Sequence, residues 1–534
     1  MKKITTIIFS LWVMTSYAQQ VEKLKDINST FGGANSRPEE FVVSNGQLFF
    51  MADDGINGFE LWVSDGTESG TTMVKDINTN ANTSSSPNEL IDLNGVLYFL
   101  ADDGVNGEEL WMSDGTESGT IMVKDINNSA DDSDISGLTV VGSNLFFAAD
   151  DGTNGKELWI SDGTESGTRL VKDINMGSGS SVPREFLNFG GVLYFAANDG
   201  IVGYELWRSN GTEMGTELVM DINLSAGSSE PAEFTIFDGK FYFRAFGTSP
   251  GELWVSDGST AGTELVKDIH PSAVSAFPND FTVYNGKLYF DANDGTNGSE
   301  LWVTDGTEAG TIMLKDIYSG NNSGNPIEFI VYDGLLYFSA QDGTNGEELW
   351  VSDGTESGTV MVKNIHATAD SRPTEFINYN GLLYFSAADL TTGRELWVTD
   401  GTESGTEIVE NIRTGTNSST PEEFTIFDNK LFFRATSTGG IEPHVFIPST
   451  LSTNDFYLSN IRAYKVDSNL LRITGLEENN TQVSIFNIQG QQIVNTFING
   501  VGTNEIRLPN VSTGIYIIRI KTETEQLTKK LFFD

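Results

Sequence analysis

A tryptophan repeat limits what this chain can fold into. Apart from Trp12, every tryptophan stands in one short motif: Trp62, Trp111, Trp159, Trp207, Trp254, Trp302, Trp350 and Trp397, spaced 47–49 residues apart. Adding 47 to 397 reaches His444, so a ninth unit carries histidine at the tryptophan place, within "GIEPHVFIPST". A repeat of this length is one supersecondary unit that buries its apolar faces only by stacking on its neighbours.

Residues 326–365, "PIEFIVYDGLLYFSAQDGTNGEELWVSDGTESGTVMVKNI", show the unit clearly. Four apolar runs of strand length, rich in Val, Ile, Phe, Tyr and Trp, alternate with turn signals, and no helical period competes. Asp333-Gly334 between the first two runs is a two-residue hairpin signal. Runs such as "ELWV" and "LLYF" are apolar on both faces, as expected for inner strands sandwiched between neighbouring sheets. Four short antiparallel strands per unit predict a β-propeller blade.

The runs of the first three kinds each occur nine times, the last set ending at "PHVFI", 443–447. The fourth run, typified by "VKDI", follows only eight of them, and a ninth copy, "KLKDIN" at 23–28, opens the chain. The expected fold is therefore all-β: a propeller of about nine four-stranded blades closed by an N-terminal strand, with eight blades plus an accessory unit as the alternative. A closed ring leaves no exposed seam. The predicted divisions are a signal peptide at 1–18, the propeller at 19–450 and a small C-terminal β-sandwich at 451–534.

The signal is read from Lys2 and Lys3, the apolar run Ile4–Met14 and the small residues Ser16 and Ala18. No later stretch reaches the ~20 apolar residues of a membrane span. The chain has no cysteine, which excludes disulfides, thiolate catalysis and Cys-ligated metals. Its formal charge is −44. Residues 455–534 hold 8 basic and 8 acidic residues, so the repeats carry all of it. That field keeps an exported protein soluble and repels nucleic acid and anionic membranes.

The recurring "ELWVSDGTESGT" resembles the ELWxxDGT repeat of bacterial exported proteins, over most of residues 60–410. The resemblance implies a surface or secreted protein and no particular activity. After residue 450 the repeat stops, and about seven short strand-like runs follow. "VSIFNIQGQQIV", then Val511–Ile520 and Lys529-Lys530, resemble the C-terminal sorting domain of the type IX secretion system; the family's "PNP" turn is not recognisable. That resemblance implies a Gram-negative source, passage across both membranes with the secretion machinery as partner, and a secreted or cell-surface destination.

Loops between second and third strands share one face of a meander blade with the variable blade linkers, and this face is the expected ligand surface. The loop "DDGINGFE" offers oxygen donors of the kind calcium takes, at Asp54, Asn57 and Glu60. Relatives occur at Asp103 and Asn106, Asp151 and Asn154, Asp294 and Asn297, and Asp342 and Asn345, with a further Asp199. The spacing does not fit an EF-hand loop, and Asp-Gly with Asn-Gly is equally tight-turn chemistry, which is the stronger reading. Asp65-Gly66-Thr67 and its copies read as turns closed by their own side chains. Asp76 and its copies in "VKDI" are expected to bond neighbouring backbone or the preceding lysine.

No nucleophile elbow, zinc motif or phosphate loop is present. The candidates for chemistry are His270 and His366, just after fourth strands where other units carry Asn, with Arg372 and Arg413. The sequence favours a non-enzymatic binding or adhesion scaffold for an extracellular glycan or protein. The alternative is a polysaccharide hydrolase or lyase, which requires the residues unlike their repeat counterparts to cluster.

Overall fold

The computed structural model describes residues 20–447, except 31–33, 82, 225, 248 and 273, and the strands with some connections between 462 and 533. The signal segment 1–18 and the junction 448–461 lie outside the described residues. The chain divides into two compact units, one spanning Gln19–Pro448 and one containing Ser449–Asp534.

The first of these holds nine four-stranded antiparallel sheets among its described residues, arranged like blades. The sheet of the first repeat is typical: Glu39–Ser44, Gln47–Asp53, Phe59–Ser64 and Thr72–Lys75, paired in that order. Its first hairpin turns on Asn45 and Gly46, at φ 47° and 73°. Positive φ at both places matches the right-handed twist of the flanking strands, and Asn and Gly tolerate it. The turn between third and fourth strands closes on itself. Asp65 Oδ1 accepts Thr67 N–H and Oγ–H, Gly70 N–H donates to Thr67 Oγ1, and Ser64 and Thr71 hydroxyls meet at 2.7 Å.

The ninth sheet departs from chain order. Glu422–Phe427, Lys430–Ser437 and Gly440–Ile447 take Gln20–Lys23 as their fourth strand, in register Gln20↔Ile447 to Lys23↔His444. His444 pairs with Phe433 as Trp62 pairs with Phe50, which places it at the tryptophan position. Each tryptophan packs on the preceding sheet; Trp159, for example, sits with Tyr98, Leu110 and Val123. Trp62 sits with Leu24, Ile27, Phe427, Phe432 and Val445, so the first sheet packs on the ninth. The fully buried column Phe50, Phe99, Phe147, Phe195, Phe243, Phe290, Phe338, Phe385 and Phe433 is the same residue in all nine sheets. Full burial contributes on the order of 2–3 kcal/mol for each such ring.

The C-terminal unit has a three-stranded sheet, Arg462–Asp467, Leu470–Leu476 and Gly502–Arg507. A four-stranded sheet is formed by Gln492–Ile498, Thr481–Asn487, Gly514–Lys521 and Gln526–Phe533. One apolar cluster, including Leu471, Ile473, Val483, Ile485, Ile518 and Ile520, joins strands of both sheets.

Candidate functional site

The loop carboxylates are occupied by their own turns. Asp54 Oδ1 accepts N–H bonds from Ile56 and Asn57 at 2.8 Å, and its Oδ2 accepts from the Asn57 side-chain amide. The same three bonds recur at Asp103 with Asn106, Asp151 with Asn154 and Asp294 with Asn297. Asp342 with Asn345 repeats them. At Asp199 only the two backbone bonds form, because Val202 replaces Asn. These bonds hold Asp151, Asp294 and Asp342 below the usual carboxylate range against the opposing effect of burial.

Glu60 parts company with Asp54 and Asn57. It is fully buried and accepts Ile77 N–H at 3.0 Å, Ser85 N–H at 2.9 Å and Ser85 Oγ–H at 2.6 Å. The "ELW" glutamate thus clamps the exit of the fourth strand to the linker that follows. Burial pushes its carboxyl up to about 7. Among the described residues no cluster of three or more His, Cys, Asp or Glu offers a metal site.

The acid of "VKDI" bonds neighbouring backbone in two copies, where Asp173 accepts Gly177 N–H at 3.0 Å and Asp316 accepts Gly320 N–H at 3.4 Å. Asp76 Oδ1 has no hydrogen-bond partner, and Lys75 reaches past it to the Thr120 carbonyl of the next sheet, at 2.8 Å.

The four candidates for chemistry each have partners of their own. His270 Nδ1 lies 3.0 Å from Ser272 Oγ, and its ring packs on Gly295 so closely that a Cβ there would lie 2.4 Å from Nε2. His366 donates its backbone N–H to Glu348 at 3.1 Å, and its Nδ1 is buried without a partner. Arg413 is exposed. Arg372 pairs with Asp370 at 3.3 Å and Glu347 at 4.0 Å. Among the described residues no hydrogen bond or ion pair links any two of the four. His444 is buried, stacked on Phe433, with Nδ1 2.9 Å from the Glu442 carbonyl. Burial lowers it to about 4, which keeps it neutral.

Repeat variation is concentrated elsewhere. In each sheet the first residue of the first strand lies opposite one residue of the second strand. The nine pairs are Glu39/Met51, Asn88/Leu100, Ser136/Ala148, Arg184/Ala196, Ala232/Arg244, Asn279/Asp291, Ile327/Ser339, Thr374/Ser386 and Glu422/Arg434. No pair recurs. The next second-strand residue, Ala52 in the first sheet, is a buried alanine in all nine. In the varied column Leu100, Ala148, Ala196, Asp291, Ser339 and Ser386 are buried, whereas Met51, Arg244 and Arg434 are partly exposed.

The varied residues make contacts within their own sheet and, at Arg244 with Asn279 and Arg434 with Glu39, from sheet to sheet. Arg184 lies over the Tyr204 ring at 4.1 Å and pairs with Glu230. Arg244 reaches Asn279 and the Phe277 ring, and Arg434 pairs with both Glu422 and Glu39. Arg394 donates to Thr374 Oγ1, the Ser386 carbonyl and the Ser371 carbonyl. Only nine arginines occur between residues 20 and 447, and six of them (Arg37, Arg184, Arg244, Arg372, Arg394 and Arg434) stand at this end of the sheets or just before it. The signal was legible as positions that break the repeat, but only strand register shows that they oppose one another.

A second column was missed. Glu40, Glu89, Glu185, Glu233, Asp280, Glu328, Glu375 and Glu423 occupy the bulge of each first strand at positive φ, with Gly137 in the remaining sheet. Each of several carboxylates accepts a backbone N–H of the next first strand: Glu89 from Leu138 at 2.8 Å, Glu375 from Glu423 at 3.1 Å and Glu423 from Glu40 at 3.3 Å. A cavity of 540 Å³ is lined by Glu185, Glu233, Asp280 and Glu328 together with Phe234, Phe281, Phe329 and Phe376. A second, of 370 Å³, lies where Gly137 interrupts the column, beside Arg184.

Comparison with known proteins adds a destination. Residues 466–534 match the Secretion system C-terminal sorting domain. The sorting domain makes this a secreted or cell-surface protein of a Gram-negative bacterium, exported by the type IX secretion system. No helix among the described residues is long and apolar enough to cross a membrane. No curated protein matches the chain. Solved structures with similarity include a Mycobacterium tuberculosis puromycin-hydrolyzing peptidase, 10% identical at TM-score 0.34 over 70% of this chain and 60% of its own. Another is the extracellular domain of the hybrid two component system BT4673 of B. thetaiotaomicron, 12% identical at TM-score 0.33, covering 94% and 76%. Saccharomyces cerevisiae Sqt1 is 13% identical at TM-score 0.34, covering 69% and 100%. The chain spans about 60% of the peptidase's length, and at these TM-scores neither activity nor ligand carries across.

Proposed function

We propose that this chain works outside the cell as a binding scaffold for an extracellular glycan or matrix protein, built as a nine-bladed propeller of the ELWxxDGT kind. The nine varied pairs carry the reading: they alter chemistry at one end of the sheets while the surrounding columns repeat. Closure of the propeller is supported by Gln20–Lys23 pairing with the ninth sheet and by Trp62 packing against Phe427 and Phe432. The acidic loops serve the scaffold as turns. The test is an array of extracellular glycans and matrix proteins probed with the full chain. Retention on at least one class is expected, and capture of neither would refute a binding role.

A further inference from the structure

The fifth sheet breaks the repeat in several ways at once, and its departures meet those of the sixth. Its second-to-third-strand loop lacks the acidic turn and carries Phe246 instead. Phe246 packs edge-on against Phe277 at 6.2 Å. Phe277 stands in the following linker, 50% exposed, at a φ of 46° held by bonds from its N–H to the Gly251 carbonyl and to Ser275 Oγ. A half-exposed phenylalanine in the left-handed region adds nothing to the core and costs backbone strain. Equivalent positions hold small, polar or charged residues or Val182, among them Asn325 and Thr420, so the fold does not require an aromatic there. The Arg244 guanidinium lies 5.7 Å from the Phe277 ring and donates to Asn279 Oδ1, while its Nε has no partner. Arg244 also acts electrostatically on Glu233, which lines the 540 Å³ cavity beside Asp280.

We infer that this junction of the fifth and sixth sheets is a binding subsite for a neutral polysaccharide, an inference that rests on the scaffold reading and names its ligand. An exposed aromatic face next to guanidinium and amide donors and carboxylate acceptors is the chemistry that holds a pyranose ring: Phe277 takes the C–H face, while Arg244, Asn279 and Glu233 take hydroxyls. Charge selects among sugars. Four carboxylates line the adjoining cavity in a chain of net charge −44, so uronates and sulfated chains are repelled. The same field attracts cations, so a cationic amino-sugar polymer is the competitor that the test includes.

The full chain is to be measured against neutral glucans, mannans and galactans, polygalacturonate and chitosan, with Phe277→Asn and Thr420→Asn as variants. Asparagine suits the left-handed backbone at both places, so both variants should melt with the parent. A neutral polymer is expected to be retained, with affinity lowered about tenfold or more by F277N and unchanged by T420N. A neutral polymer bound equally by F277N overturns the subsite and leaves the scaffold standing. Binding only to polygalacturonate or chitosan overturns the ligand class. Capture of a matrix protein but no polysaccharide overturns the subsite alone, and capture of nothing overturns both readings.

Discussion

Glu60 shows what one repeated residue does here. Its carboxylate replaces water for three donors, the N–H groups of Ile77 and Ser85 and the Ser85 hydroxyl, in a place no solvent reaches. Glu442 does the same in the ninth sheet, but its donors, Ile27 N–H and Ser36 Oγ–H, come from the other end of the chain. Truncation would strand these donors in the interior, where each unsatisfied group costs about 1–3 kcal/mol. Glu60→Ala is therefore expected to destabilise by about 2–4 kcal/mol. Glu60→Gln keeps an acceptor, and with the native carboxyl titrating near 7 it should cost about 1 kcal/mol or less. Thermal melts of the two variants decide this; equal losses would mean that the clamp is not the source of the stability.

At the scale of the element, the N-terminal segment matters most. Gln20–Lys23 fills the edge of the ninth sheet, Leu24 and Ile27 enter the core shared with the first, and Lys25 Nζ reaches the Thr71 carbonyl at 2.6 Å. That last bond repeats the one from Lys75 to Thr120, so the segment acts as an ordinary fourth strand that leads into the next sheet, and it differs only in not being joined to its third strand by a hairpin. Residues 19–28 thus carry strand pairing, core burial and the Glu442 clamp together. Their deletion should lower the melting temperature of the whole repeat unit and expose a sheet edge prone to self-association. A deletion variant that melts with the parent and stays monodisperse would show the segment to be dispensable.

For the whole molecule, pH sets two opposing trends. Glu60, Glu109, Glu252, Glu300 and Glu395 are each pushed up to about 7 by burial. The folded state then binds these protons more tightly than the unfolded chain, so their contribution is full below the ordinary 4.5 and lost as pH rises through about 7. Asp65, Asp114, Asp162 and Asp305 are lowered by turn hydrogen bonds, so their contribution is present above 3.8 and lost in stronger acid. His444, lowered to about 4, also favours higher pH, but it is one group against five. Melting temperature is expected to climb as pH falls from 8 to about 5 and to drop below about 4. The same melts with chelator and with added calcium should coincide, because the loop carboxylates are satisfied by their own turns. A flat profile, or a calcium-dependent shift, would contradict the assignment.

Much of the fold was legible because its signals are local. Strand-length runs, Asn-Gly and Asp-Gly turns and a 48-residue spacing need only near neighbours in the chain, and they also placed His444 at a tryptophan position and matched residues 23–28 to a missing strand, although the strand that pairs is Gln20–Lys23, just before that match. The site was less legible. Glu60 reads as a loop acid beside Asp54 until strand register turns its carboxylate inward, and the first-strand acids look like surface charge until the next sheet supplies their N–H partners. Arg184, Tyr204 and Glu230 span 46 residues, and Arg244 lies 33 residues or more from Phe277 and Asn279, so no local relation joins them. By itself the sequence determined the unit, its strands and the export route, since these depend on periodicity and on a contiguous motif. Only the tertiary structure decided which side chains meet, because the residues facing one another across stacked sheets are set by strand register and packing rather than by distance along the chain.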